Sequence, residues 1–185
     1  MAAMADVQPT LVPSVLAVLM LDGDGNRIIS KFYRGFCKGS DAQHKFEQKL
    51  FKKTKNATTA RNDADVIMLD GAIAVFRCGA DARFYVVGSG DENELIVNMV
   101  LDGLVDALAV LLGSGLEART LLENLETVML AVDELVDGGI ILEIDPQAIA
   151  SRVQMRGVEG TQPITEMSTS QAISSITDQL FKSMN

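Results

Sequence analysis

The chain has 185 residues and a formal net charge of −9, with 48% hydrophobic and 22% charged residues. That length and composition fit one folded domain plus a tail and exclude wholesale disorder or a fibrous repeat. The acidic balance argues against general nucleic-acid binding, because neutralising phosphates requires a net basic face.

Two cysteines, Cys37 and Cys78, are too few for a disulfide framework or a zinc site, which fits a reducing cytosol. No basic segment precedes the apolar run at residues 15–21, and that run is too short to cross a bilayer. A cytoplasmic protein is therefore expected, in which the sequon Asn56-Ala57-Thr58 is an ordinary polar loop.

Residues 14–21 form an apolar run that stops at Asp22-Gly23-Asp24-Gly25-Asn26 and resumes at residues 27–33, which predicts a β-hairpin. Over residues 41–55, Ala42, Phe46 and Leu50 recur every fourth position with lysines on the other faces, which predicts an amphipathic helix. Residues 66–69, 73–78 and 83–87 read as strands, and Asp70-Gly71 favours a tight hairpin turn between the first pair. Residues 93–112 make the most apolar helix. Its length approaches a membrane span, but Asn98, Asp102 and Asp106 recur at four-residue spacing and would each be costly in hydrocarbon.

A second long helix is expected after a capping box, Ser114 with Glu117 or Thr120 with Glu123, its apolar stripe running from Leu121 to Val136 and ending at Gly138-Gly139. Residues 140–142 are briefly extended, and Asp145-Pro146 opens a short helix to about Arg156. The stretch 157–170 reads as a linker, and Ile173, Ile176 and Leu180 place one more amphipathic helix near the C-terminus. Tight turns force antiparallel pairing within each strand group, and the helical crossover can bring both groups into a single five-strand sheet. The fold class is mixed α/β (α+β).

No catalytic constellation emerges. His44, the one histidine, lies among lysines on the first helix, away from any nucleophile motif. Asp22, Asp24 and Asn26 imitate the start of a calcium loop, but Arg27 and Tyr33 stand where glycine and a bidentate glutamate are required. Gly113-Ser114-Gly115 follows a helix, and Gly88-Ser89-Gly90 is followed by Asn93 where a third glycine belongs, so neither cradles a phosphate. An enzyme would have to rely on carboxylates such as Asp91-Glu92 or Asp133-Glu134, which diverge on their helices. No catalytic, cofactor or metal residue is assigned.

Charge is strongly segregated. Residues 31–61 carry nine Lys and Arg against Asp41 and Glu47, whereas residues 91–145 carry thirteen Asp and Glu against Arg119. Such a field orients docking against a large charged partner or an anionic membrane, although two solvated faces of opposite sign would read the same way.

The strings Phe84-Tyr85-Val86-Val87-Gly88-Ser89 and Glu92-Asn93-Glu94-Leu95 resemble the zeta subunits of coatomer. Leu121-Leu122-Glu123-Asn124, Leu130-Ala131-Val132-Asp133-Glu134, Val136-Asp137-Gly138-Gly139, Asp145-Pro146-Gln147 and Arg156-Gly157 extend the resemblance over residues 12–157. The small sigma subunits of clathrin adaptors are similar more loosely, and no motif here carries their acidic-dileucine pocket onto named residues.

The resemblance implies a longin-like domain: a five-stranded antiparallel sheet with one helix on one face and two on the other, plus C-terminal helices. It divides the chain into an extension (1–11), the longin-like domain (12–157) and a linker with a terminal helix (158–185). It also implies a non-enzymatic subunit of the COPI coat without a cofactor, paired with the trunk of the gamma subunit in the adaptor-like subcomplex. That assembly includes the other coatomer subunits and associates indirectly with an Arf-type GTPase and the Golgi membrane, for traffic between Golgi and endoplasmic reticulum. The competing class is a longin module that reads a sorting peptide or a small GTPase directly. Phe51 lies about a quarter turn off the buried stripe of the first helix, so Phe51 with Lys49, Lys52 and Lys53 is a candidate partner-binding patch. Burial under the following loop is the alternative for Phe51.

Overall fold

Strand β1 (Val15–Asp22) is buried at nearly every position, the pattern of a strand covered on both faces. It pairs antiparallel with β2 (Arg27–Phe32) on one side and β5 (Ala82–Ser89) on the other. Strands β3 (Asp65–Leu69) and β4 (Ala72–Cys78) complete a five-stranded antiparallel sheet in the order β2-β1-β5-β4-β3. The predicted merging of the two hairpin groups is thus realised by β1 lying against β5, with Leu19 opposite Tyr85. Asp70 and Gly71 both take positive φ in the β3–β4 turn, as the Asp-Gly pair foretells.

The computed structural model describes residues 13–57, 63–113 and 115–161, with 157–161 as backbone only. The extension 1–11, Thr58 of the sequon, Ser114 and the expected C-terminal helix lie outside the described residues. The chain divides into a unit Met1–Val153, which holds the sheet, and a unit Gln154–Asn185.

Strand alternation sorts the apolar side chains into two cores. On one side Ala17, Leu19, Leu21, Ala74, Phe76, Tyr85 and Val87 pack with Phe46 and Leu50 of helix α1 (Ser40–Thr54). On the other, Val18, Met20, Val75, Phe84 and Val86 pack with helix α2 (Glu94–Leu112) and helix α4 (Leu125–Leu135). Burying each large side chain contributes about 1.5–3 kcal/mol, so truncating fully buried Leu50 costs about 2–5 kcal/mol.

Helix α2 is apolar enough to span a membrane by length and composition, with mean hydropathy 2.2. In the fold it lies on β4 and β5, burying Val97, Val100, Leu101, Leu104 and Leu108. Asn93 caps it by accepting from the Leu95 N–H at 2.9 Å. Asp102 is spent on Arg77 and on Asn98, whose Nδ2 donates to it at 2.9 Å.

Three expectations need correction. The single helix after residue 114 is two, α3 (Ala118–Glu123) and α4, broken at Asn124 with φ −117° and ψ 33°. Of the two expected capping boxes, the Thr120–Glu123 pair does not form one, since Thr120 lies inside α3, whose N-cap is Glu117 without a side-chain bond, while the Ser114 pair lies outside the described residues. Instead Asp81, from the β4–β5 turn, accepts from the Ala118 N–H at 2.8 Å, an acceptor 37 residues away that local pattern cannot reveal. Finally, helix α5 (Pro146–Thr161) continues past residue 156 into the stretch read as linker. Its start is as expected, with Asp145 accepting from the Ala148 N–H at 3.1 Å. The glycine pair 138–139 forms the turn of a two-residue ribbon, β6 (Val136–Asp137) with β7 (Ile140–Ile141).

Candidate partner-binding surfaces

Among the described residues α1 is the helix that packs on its face of the sheet, and its sequence decides which side chains remain outside. Phe46, Glu47, Leu50 and Thr54 point inward. Thr54 Oγ1 meets Tyr85 Oη at 2.8 Å, and burial, only partly opposed by that bond, pushes the Tyr85 hydroxyl up to about 12. Buried Glu47 sits 2.7 Å from the Arg27 guanidinium without linear hydrogen-bond geometry at that oxygen, so the link from α1 to β2 is one of charge.

Phe51 does not stand free. It is half-buried against the α1-side core, its ring lies against Gly25 of the β1–β2 turn, and Arg83 stacks over it 5.6 Å from the centroid. Arg83 also donates to the carbonyls of Thr54 and Lys55 at 2.9 and 3.2 Å, satisfying the C-terminal end of α1, where a cation also meets the helix dipole favourably. This clamp comes from a distant strand and has no local signature.

The candidate lysines separate. Lys49 Nζ pairs with Asp70 at 2.7 Å and Lys53 Nζ donates to the Met68 carbonyl at 3.0 Å, both tying α1 to the β3–β4 hairpin. Lys52 is exposed with no such partner among the described residues. Lys52 and Lys45 lie farthest from the buried stripe by helical geometry, with exposed Lys55 just beyond the helix.

The charge segregation of the sequence becomes two faces of the sheet. Lys45, Lys49, Lys52 and Lys53 lie on α1, while Asp102, Asp106, Glu123, Glu126 and Asp133 belong to the helices on the opposite side, where Lys31 of β2 crosses over to pair with Asp133. Exposed large apolar side chains are divided likewise. Leu95 (70% exposed) and Met99 (51%) lie on α2; Leu122 and Met129 lie on α3 and α4, and none lies on α1.

The edge strand β3 adds exposed Val66 and Met68, whose partners Val75 and Ile73 belong to the α2-side core. Between β3 and α2 runs a groove of about 420 Å³ lined by Val66, Leu95, Asn98 and the Arg77–Asp102 pair. A second cavity of about 490 Å³ lies on the other flank of Arg77, lined by Phe84, Val105, Asp106 and Leu116. The sequence offered no sign of either, because each is assembled from separate elements.

His44 is exposed, with Gln48 Nε2 at 2.9 Å and Glu47 at 3.8 Å. The carboxylate of Asp22 accepts from the N–H groups of Asp24 and Asn26 at 2.9 and 2.8 Å, which makes the Asp-rich segment a self-bonded turn.

Over residues 14–159 the chain matches the family of clathrin adaptor complex small chains. It is 41% identical over 174 residues to coatomer subunit zeta-1 of Homo sapiens, covering 94% of each chain. Against coatomer subunit zeta-1 of Oryza sativa it is 40% identical over 172 residues, covering 93% of this chain and 97% of that one. A chain of a homology model of the full-length AP-3 complex superposes with a TM-score of 0.60 at 17% identity, covering 80% of this chain and 96% of that one, which supports the fold alone. By sequence and by its longin-like fold, the chain belongs to the clathrin adaptor small-chain family, in its coatomer zeta group.

Proposed function

We propose that this protein is a non-enzymatic small subunit of the COPI vesicle coat that pairs with the trunk of the gamma subunit. The observation that carries the proposal is the 41% identity to coatomer subunit zeta-1, which extends over 94% of the chain. In this reading it works in the cytoplasm, peripherally on Golgi membranes and COPI-coated vesicles, in retrograde and intra-Golgi traffic. Its contribution is a rigid longin surface buried in a larger, curved subunit. The exposed apolar side chains Leu95, Met99, Leu122 and Met129 supply contacts of the kind that dominate interface affinity. The acidic groups beside them set orientation and on-rate. Lys49, Lys53 and Phe51 act mainly within the fold, which leaves Lys52 as the member of the original patch open to a partner.

A second reading, a small subunit that itself reads a sorting peptide, is favoured by the groove between β3 and α2, where an open strand edge meets exposed Val66 and Leu95. Co-expression with a gamma-coatomer trunk, followed by size-exclusion chromatography with mass determination, separates the two. A stable one-to-one complex is the expected result. Two folded proteins that stay apart at micromolar concentration would overturn the coat reading and bring the peptide reader forward.

A further inference from the structure

We propose that the outer face of α1 is a contact surface for an anionic lipid bilayer, centred on Lys45, Lys52 and Lys55. The proposal rests on the coat function above and extends it by assigning the chain its own membrane contact.

Chemistry favours lipid over protein as the occupant. A protein interface needs buried aromatic or aliphatic anchors at its centre, and α1 exposes no large apolar side chain. What it offers is a row of ammonium groups on long stems, Lys45 and Lys52 being about 10 Å apart along the helix. These three have no acidic partner among the described residues, whereas Lys49 is already paired with Asp70. Of the two carboxylates on α1, Glu47 is buried, and the exposed Asp41, four residues before Lys45 on the same face, offsets one charge of a helix that carries four lysines. Point charges with freely rotating donors suit a fluid array of phosphate and carboxylate headgroups, which requires no fixed geometry.

The net charge of −9 does not prevent this. The acidic helices lie across the sheet from α1, and three layers of roughly 10 Å each exceed the screening length of about 8 Å at physiological ionic strength. A bilayer beside α1 therefore meets the local positive field, while the acidic, apolar face remains turned toward a protein partner.

The test is flotation of the full-length chain with vesicles of phosphatidylcholine alone or mixed with phosphatidylserine. The wild type is expected to float with the mixed vesicles only. The triple variant Lys45→Gln/Lys52→Gln/Lys55→Gln should lower partitioning on the order of a hundredfold, and the matching triple Lys→Arg variant should retain it. Failure of the wild type to float with phosphatidylserine, or equal flotation of the Gln variant, overturns the proposal. The same variants are then co-expressed with the gamma trunk and analysed by size-exclusion chromatography. Undiminished pairing of the Gln variant supports a lipid role and shows that it is folded. Loss of pairing in that variant assigns the lysines to a protein interface and overturns the lipid contact. Failure of the wild type itself to pair is a separate result that strikes the coat reading.

Discussion

The guanidinium of Arg83 lies 5.6 Å above the ring of Phe51 while donating to the carbonyls that close helix α1. One strand residue therefore fixes both the end of the helix and the aromatic side chain that its pattern left unassigned. Arg83→Ala is expected to lower stability by about 2 kcal/mol through lost charged hydrogen bonds and the ring contact. Arg83→Lys should recover less than half, since a point charge cannot hold two carbonyls and a ring together. Urea unfolding of the three proteins measures this.

Gly103 lies inside α2, where alanine would ordinarily add about 1 kcal/mol of helix stability. Here a Cβ would stand 2.6 Å from the Ile144 carbonyl oxygen, and backbone cannot swing aside as a flexible side chain can. Gly103→Ala should therefore destabilise by about 1–3 kcal/mol, read as a lowered thermal midpoint. A raised midpoint would show that the close approach is not maintained.

Asp81→Ala removes the acceptor for the Ala118 N–H and should cost about 1 kcal/mol. Amide exchange ought to accelerate first in α3, which is only six residues long, and much less in α4. Asp81→Asn keeps an acceptor oxygen and should recover most of the loss.

Asp22 supplies an acid-dependent contribution. Burial alone would raise its pKa, but the bonds from Asn26, Asp24 and Gly25 outweigh that and hold it below 3.8. Its folded pKa is thus depressed, so its stabilisation is present above 3.8 and lost as pH falls through the folded value. Urea midpoints followed from about pH 5 to about pH 2 should fall less steeply for Asp22→Asn than for wild type.

The lessons of the chain differ by element. The hairpins, α1 and α2 were legible because each is set by local chemistry: an Asp-Gly turn, a four-residue apolar spacing, a long apolar run with polar residues on one side. The helix after residue 114 was misread as continuous because the Leu121–Val136 stripe runs unbroken through Asn124, and hydrophobic spacing does not register a change of backbone direction. Phe51 was ambiguous for a related reason, since the turn that receives it lies 26 positions upstream at Gly25.

Sequence by itself determined the five strands of the sheet, the helices α1 and α2, the separation of charge along the chain and the family, all of which are carried by composition, periodicity or ordered strings of residues. Tertiary structure alone decided that the charge lies across the sheet and not along it. It also brought Arg83, Asp81 and Ile144 to helices remote from them and opened a groove between β3 and α2. The physical reason is that periodicity reports which side of an element is buried, whereas the neighbour that buries it is chosen by strand order and packing, and in this fold β5 enters between strands that precede it in the chain.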